Sequence, residues 1–130
     1  MEGLRPPKTI LPLVPQKMSL TPSESVSLPI DLSEFDEVID VRTPQEFDED
    51  HLPGARNLPV LTNEQRVEVG ILYKESAFKG RRLGARYVSQ AIADHLAGPL
   101  RDISTGWSPL LYCWRGGQRS SAFATVLRSV

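Results

Sequence analysis

Val38-Ile39-Asp40-Val41-Arg42-Thr43-Pro44-Gln45-Glu46-Phe47 decides the fold class. Residues 38–41 are a short β-branched run of the kind that fills a buried strand. Thr43 follows almost at once and has the chemistry of a helix N-cap. Pro44 suits the first helical position, and Glu46 completes a capping box with Thr43. A strand that passes straight into a capped helix predicts α/β construction. Phe47 is the expected buried contact of this short helix. His51-Leu52-Pro53-Gly54-Ala55 ends the helix in a turn, and residues 57–61 read as a second short strand.

Toward the C-terminus the same signals recur. Thr62-Asn63-Glu64-Gln65 is another capping box and opens a helix over 63–75, with Val67, Ile71 and Leu72 as its expected apolar face. Such a cap is worth ~1 kcal/mol, so the helix start is well specified. Residues 79–97 form a longer amphipathic pattern, with Leu83, Tyr87, Ala91 and His95 or Leu96 at helical spacing. Gly98-Pro99 stops it. A loop over 106–109, a strand over 110–112 and a helix over 120–129, with Ala122, Val126 and Leu127 inward, complete the pattern.

Toward the N-terminus the chain changes character. Six of its eleven prolines (Pro6, Pro7, Pro12, Pro15, Pro22 and Pro29) lie in the first thirty residues. That density excludes helix, so residues 1–23 read as an extended tail and 24–130 as the domain. The 130 residues suffice for one domain. No apolar run approaches the ~20 residues of a membrane span, and prolines interrupt the stretch Thr9–Val14, so no secretory signal is read. A cytoplasmic location without membrane association is expected. The single cysteine excludes an internal disulfide framework and a multi-cysteine metal site.

The net charge of −1 hides an asymmetry: residues 1–65 hold 5 Lys/Arg against 12 Asp/Glu, and residues 66–130 hold 10 against 4. A basic half suits an anionic substrate or a nucleic acid, and equally a set of solvated helix faces. Lys74, Lys79, Arg81, Arg82 and Arg86 form its densest cluster. A nucleic-acid backbone and plain solvent are the two readings for that cluster.

The chemistry sits in Tyr112-Cys113-Trp114-Arg115-Gly116-Gly117-Gln118-Arg119-Ser120. A cysteine ends a strand, a glycine-containing loop follows, and then an arginine stands at a helix start. A tight strand-to-helix loop points successive backbone N–H groups into one concavity, an anion-binding nest. The positive end of the next helix faces the same point. Gly116 and Gly117 permit backbone conformations closed to other residues. Arg119 can clamp an oxyanion with its planar fork. These features stabilise negative charge on the sulfur, so Cys113 is the expected nucleophile. A buried structural cysteine would not need a Gly-Gly loop between two arginines.

Asp40-Val41-Arg42, Glu46-Phe47, His51-Leu52-Pro53-Gly54-Ala55 and Asn57-Leu58-Pro59 resemble the first half of the rhodanese-like domain signature, and the Cys113 loop resembles its active-site loop. The closer resemblance is to the tRNA 2-selenouridine synthase family. Its loop is similar to residues 113–120, and its inter-motif segment is similar to Glu68-Val69-Gly70 with Tyr73-Lys74. The resemblance implies a mainly parallel sheet with helices on both faces. It also implies replacement of the sulfur of 2-thiouridine at the tRNA wobble position by selenium from selenophosphate, with geranyl diphosphate as the source of a geranylated intermediate. Cys113 would then carry selenium or sulfur as a perselenide or persulfide, received from selenophosphate or a chalcogen carrier. Trp114, Arg115, Gly116, Gly117, Gln118, Arg119 and Ser120 would form the anion- and substrate-binding loop.

The family pattern continues past the loop helix with another strand and helix and then a P-loop domain. Residues 24–130 are therefore expected to hold the rhodanese-like part alone, truncated at its C-terminus. The motif Gly-x-x-x-x-Gly-Lys-Ser/Thr does not occur here. The strand in question belongs inside the sheet, so its place is expected to be unfilled, with backbone groups exposed. Contact with tRNA is expected mainly through the P-loop domain.

Asp40 and Arg42 are read as a charge pair bracing the loop, His51 as a turn-bracing hydrogen bonder, and His95 as a surface or dipole-complementing residue. Trp114 can stack on a base or fill the core, and Trp107 carries no assignment. Two distant histidines and one cysteine make no metal site. Two other functions compete. The Cys113-x5-Arg119 spacing matches cysteine phosphatases and arsenate reductases, although Gly116-Gly117 replaces the residues expected to help a leaving group. A non-catalytic module that binds an anion or a partner is the third reading.

Overall fold

The computed structural model describes residues 31–113 and 118–130, together with the backbone of residues 11–13. Its elements in chain order are β1 (Leu11–Leu13), a 3-10 turn at Leu32–Glu34, β2 (Glu37–Asp40), α1 (Pro44–Glu49), β3 (Arg56–Asn57), α2 (Asn63–Glu75), α3 (Ala77–Ala97), β4 (Pro109–Tyr112) and α4 (Gln118–Arg128). The four strands form one parallel sheet in the order β1-β4-β2-β3. Part of the proline-rich segment is thus a strand of the sheet, where Leu11–Leu13 pairs with Leu110–Tyr112. The flank of β4 away from β2 carries β1.

The strands are apolar at successive positions because both sheet faces are covered, as parallel sheets require. On one face Ile39, Val41, Leu111 and Cys113 pack with Ile92 of α3 and with Phe123, Ala124 and Leu127 of α4. On the other, Val38, Leu110 and Tyr112 meet Leu32, Phe35, Leu52 and Ala55. Cys113 therefore faces the α3–α4 side, and Asp40 and Tyr112 face the other.

Both capping boxes form. Thr43 Oγ1 accepts the Glu46 N–H and Glu46 accepts the Thr43 N–H, while Thr62 and Gln65 do the same at α2. Ser76 ends α2 and caps α3, which starts at Ala77, ahead of the expected Lys79. The second strand is shorter than the 57–61 run. Pro59 supplies no N–H and fixes φ, so regular pairing stops at Asn57. Leu58 and Val60 still donate to the carbonyls of Asp40 and Val41 at 2.9 and 3.2 Å, and both are buried.

The expected apolar face of α2 is a second correction. Val67 and Ile71 are 62% and 60% exposed, and no α2 residue is fully buried. Among the described residues the helix packs chiefly on α3, through its Val69 side, and its apolar periodicity marks a stripe that stays largely exposed. Phe47 is half-buried, its ring stacked on His51 with centroids 3.7 Å apart. In α4 the buried residues include Phe123 and Ala124, while Ala122 and Val126 are half-buried against α3 and α4 neighbours.

The α2–α3 hairpin depends on one glycine. A Cβ at Gly80 would stand 2.5 Å from Tyr73 Cα and 2.8 Å from Tyr73 N, a distance that backbone atoms do not tolerate. Gly80→Ala is expected to lower stability by roughly 1–3 kcal/mol despite alanine's better helix propensity, because the two helices must separate. Thermal unfolding checks this: a melting temperature equal to or above that of the wild type would show that the helices do not meet at this point.

Candidate active site

The strand order brings the ends of β2 and β4 side by side. The Val41 N–H donates to the Tyr112 carbonyl at 3.1 Å, which sets Asp40-Val41-Arg42 next to Cys113. Cys113 directly follows β4 and is 1% exposed. Its Sγ accepts the Ser120 N–H at 3.4 Å and lies 3.4 Å from Ser120 Oγ. Ser120 is in the first turn of α4, where amides lack helical acceptors and the helix dipole is positive. The sulfur therefore sits at the positive end of α4 and takes the Ser120 N–H. Trp114, Arg115, Gly116 and Gly117 lie outside the described residues. Gln118 is exposed at the start of α4.

Arg119, expected to clamp an oxyanion, holds a protein carboxylate. Its Nη1 donates to Glu46 Oε1 at 2.9 Å and its Nη2 to Oε2 at 3.4 Å. Glu46 Oε1 also accepts from the Thr43 N–H and Oγ1–H at 3.0 and 3.1 Å and lies 3.5 Å from Arg66 Nη1. One side chain thus joins α1 to α4 and α2. The sequence shows Glu46 as a capping residue only, because nothing local announces a partner 73 positions away.

Burial alone would raise the Glu46 pKa. The Arg119 hydrogen bond, the Thr43 N–H and the charges of Arg119 and Arg66 outweigh it and hold the carboxyl at about 2. The folded value is below the ordinary ~4.3, so the carboxylate stabilises the fold above that pH and the contribution is lost as pH falls toward the folded value. Glu46→Gln is expected to cost on the order of 2 kcal/mol at neutral pH, after allowance for solvent screening, and to flatten the acid side of the stability profile. Urea unfolding at neutral pH and near pH ~3 measures both terms. Equal acid slopes in the two proteins would contradict this account.

Behind the site lies a buried polar network. Asp40 accepts from the Arg42 backbone N–H at 2.8 Å, from Arg42 Nε at 3.0 and 3.1 Å, and from Nη2 at 2.8 Å. Tyr112 Oη donates to Asp40 Oδ2 at 2.9 Å and accepts the Leu52 N–H at 2.9 Å. Asn57 Nδ2 donates to the carbonyls of Asp40 and Arg42 at 3.0 and 2.9 Å, and Arg42 Nη2 donates to the Asp50 carbonyl. Asp40, Arg42 and Tyr112 are all buried. Burial, with the hydrogen bond to Asp40 and its charge, pushes the Tyr112 phenol up to about 12. Arg42 would be lowered by burial, but Asp40 reverses this and the guanidinium is raised. The network fixes the β2 exit on the sheet face opposite Cys113.

His51 Nδ1 lies 2.8 Å from the Phe47 carbonyl and braces the turn. His95 stands in the last turn of α3, as expected of a dipole-complementing residue. It is half-buried, with Nε2 2.7 Å from the Pro59 carbonyl and its ring parallel to Phe123 at 5.7 Å. Helical spacing alone could not reveal a partner in the 58–61 segment. Trp107 packs half-buried against the core. Among the described residues no cluster of three or more His, Cys, Asp or Glu could hold a metal ion, and no helix is long and apolar enough to cross a membrane.

Three comparisons bear on this site. The family model of the rhodanese-like domain matches residues 24–130. Among curated proteins, the tRNA 2-selenouridine synthase of Nitrosomonas europaea is 40% identical over 93 residues, covering 70% of this chain and 24% of that protein. That of Nitrosomonas eutropha is 45% identical over 85 residues, covering 64% and 22%. That of Pseudomonas fluorescens is 34% identical over 110 residues, covering 78% and 30%. The chain spans roughly a quarter of the length of these relatives. Among solved structures, the N-terminal domain of an ATP/GTP binding protein from Clostridium difficile 630 superposes with a TM-score of 0.60 at 32% identity, over 75% of this chain and 78% of that one.

Proposed function

This chain belongs to the rhodanese-like domain family, and on that premise we propose that it carries sulfur or selenium on Cys113 as a persulfide or perselenide. It would serve as the chalcogen-handling part of an enzyme of the tRNA 2-selenouridine synthase type, which exchanges the sulfur of wobble 2-thiouridine for selenium. The observation that carries this reading is the Cys113 sulfur seated at the α4 N-terminus, with the Ser120 N–H directed at it.

The loading step balances with a thiol-bound donor. The Cys113 thiolate attacks the outer chalcogen of R–S–SH or R–S–SeH. A new S–S or S–Se bond forms, the donor's own bond to that chalcogen breaks, and R–S⁻ leaves to take a proton from water. The first turn of α4 points the Ser120 N–H at the attacking sulfur. Selenophosphate losing phosphate would deliver selenide, which is an electron pair too reduced to give a perselenide directly. A thiol-bound carrier is therefore the donor to Cys113, and selenophosphate is the anion that would compete with the Glu46 carboxylate for Arg119. No second cysteine in this chain can resolve the persulfide, so the acceptor is external.

The test is intact mass spectrometry after incubation with glutathione persulfide. The expected result is a gain of one sulfur that dithiothreitol reverses and prior alkylation blocks. A mass unchanged by the donor would overturn the reading.

A further inference from the structure

The α2–α3 turn carries a surface that the chalcogen chemistry does not use. Residues 73–86 hold five cations, Lys74, Lys79, Arg81, Arg82 and Arg86, against a single acid, Glu75. All five cations are exposed, and among the described residues none of them is in an ion pair. Two aromatic rings share the surface. Phe78 is 64% exposed and Tyr73 is 50% exposed. The Arg82 guanidinium lies over the Phe78 ring at 5.7 Å, which sets a cation and a largely exposed ring side by side. The hairpin closes where Gly80 meets Tyr73 Cα, Cβ and N, and the Phe78 ring stands outside that contact, largely in water.

Cations without carboxylate partners attract a phosphate backbone, and exposed rings among them offer faces on which unpaired bases stack. A partner with acidic side chains would satisfy the cations and leave Phe78 and Tyr73 unexplained. We propose that the α2–α3 turn, through Lys79, Arg82 and Phe78 above all, is a docking surface for single-stranded RNA. The choice of RNA over DNA rests on the functional reading above, while the single-strand preference rests on the rings.

The test is fluorescence anisotropy of the whole chain with a labelled RNA stem–loop whose loop is unpaired. Wild-type binding is expected to weaken steeply with salt. The double variant Lys79→Glu/Arg82→Glu is expected to weaken it at least about tenfold. Phe78→Ala is expected to weaken binding several-fold for the stem–loop and to leave a blunt RNA duplex unaffected. All three positions are exposed, and circular dichroism checks that the variants fold. Absence of wild-type binding, or binding that the double variant retains unchanged, overturns the proposal. So does sedimentation that shows the hairpin engaged by a second copy through Val67 and Ile71. Persulfide loading is read on the same wild-type protein. A chain that loads but does not bind RNA overturns the surface alone, and one that binds RNA but does not load overturns the site alone.

Discussion

Cys113→Ser is expected to abolish persulfide and perselenide loading entirely while leaving the fold in place. Serine keeps the side-chain geometry and can still accept the Ser120 N–H, so the junction of β4 with α4 survives. Its hydroxyl is a poor nucleophile without a base and cannot hold a sulfane atom as a stable adduct. The core loses only a small apolar contact, because Cys113 packs as one member of the cluster with Ile39, Leu111 and Phe123. Intact mass after donor treatment and thermal unfolding are read on the same sample. Residual loading in the serine variant would move the chemistry to another group and end the assignment of Cys113.

Asp40→Ala is expected to be the most damaging change to stability, at about 3–5 kcal/mol, because it removes the buried carboxylate from the Arg42 guanidinium and leaves only the exposed Asp50 carboxylate, 3.8 Å away, as its counter-charge. Small domains have only ~5–15 kcal/mol in total, so the variant should lie near its unfolding midpoint at modest urea. The loss exceeds that of an isolated ion pair, since Tyr112 Oη also gives up its acceptor. Replacing the arginine as well, in Asp40→Ala/Arg42→Met, should recover part of the loss by removing the buried charge. Urea unfolding of both variants decides. A single-variant loss below ~1 kcal/mol, or a double variant no better than the single, would show that the pair is not what holds the β2 exit. The same network predicts alkaline sensitivity. With the Tyr112 phenol raised to about 12, its contribution is fully present below the ordinary ~10 and is lost as pH rises toward the folded value.

Local chemistry was legible in the sequence and long-range partnership was not. The capping residues Thr43, Glu46, Thr62 and Gln65 act within three positions of one another, so their pattern fixes both helix starts. The place of Cys113 at the end of a buried strand was equally readable, since the apolar run before it has no competing interpretation. What failed was any inference about cover. Val67 and Ile71 have helical spacing and face water, because periodicity says which residues share a face and not what lies above it. His95 stands in the last turn of α3 where a dipole-complementing residue is expected, but it is also half-buried against a carbonyl 36 positions away, which no local spacing shows. Glu46 was found for its cap and missed for Arg119, since an ion pair between elements leaves no spacing signal. The strand at Leu11–Leu13 was masked by Pro12, which reads as chain that cannot take a place in a sheet's interior.

The placement of β4 in the middle of the sheet has a consequence for how the protein is made. Parallel neighbours need long connections, and β4 lies between β2 and β1, pairing Leu110 with both Val38 and Leu11. As the chain leaves the ribosome, β2 and β3 have only each other until residue 112 has emerged. Two short strands do not make a stable sheet, so the nascent chain gains little order during most of its synthesis. Closing such distant segments costs loop entropy before any burial repays it, which favours slow, late, all-or-none folding. Meanwhile the α2–α3 hairpin, built from neighbours in sequence, can form early and stand exposed. The protein thus has two clocks: a helical arm that sets quickly, and a sheet that waits for β4.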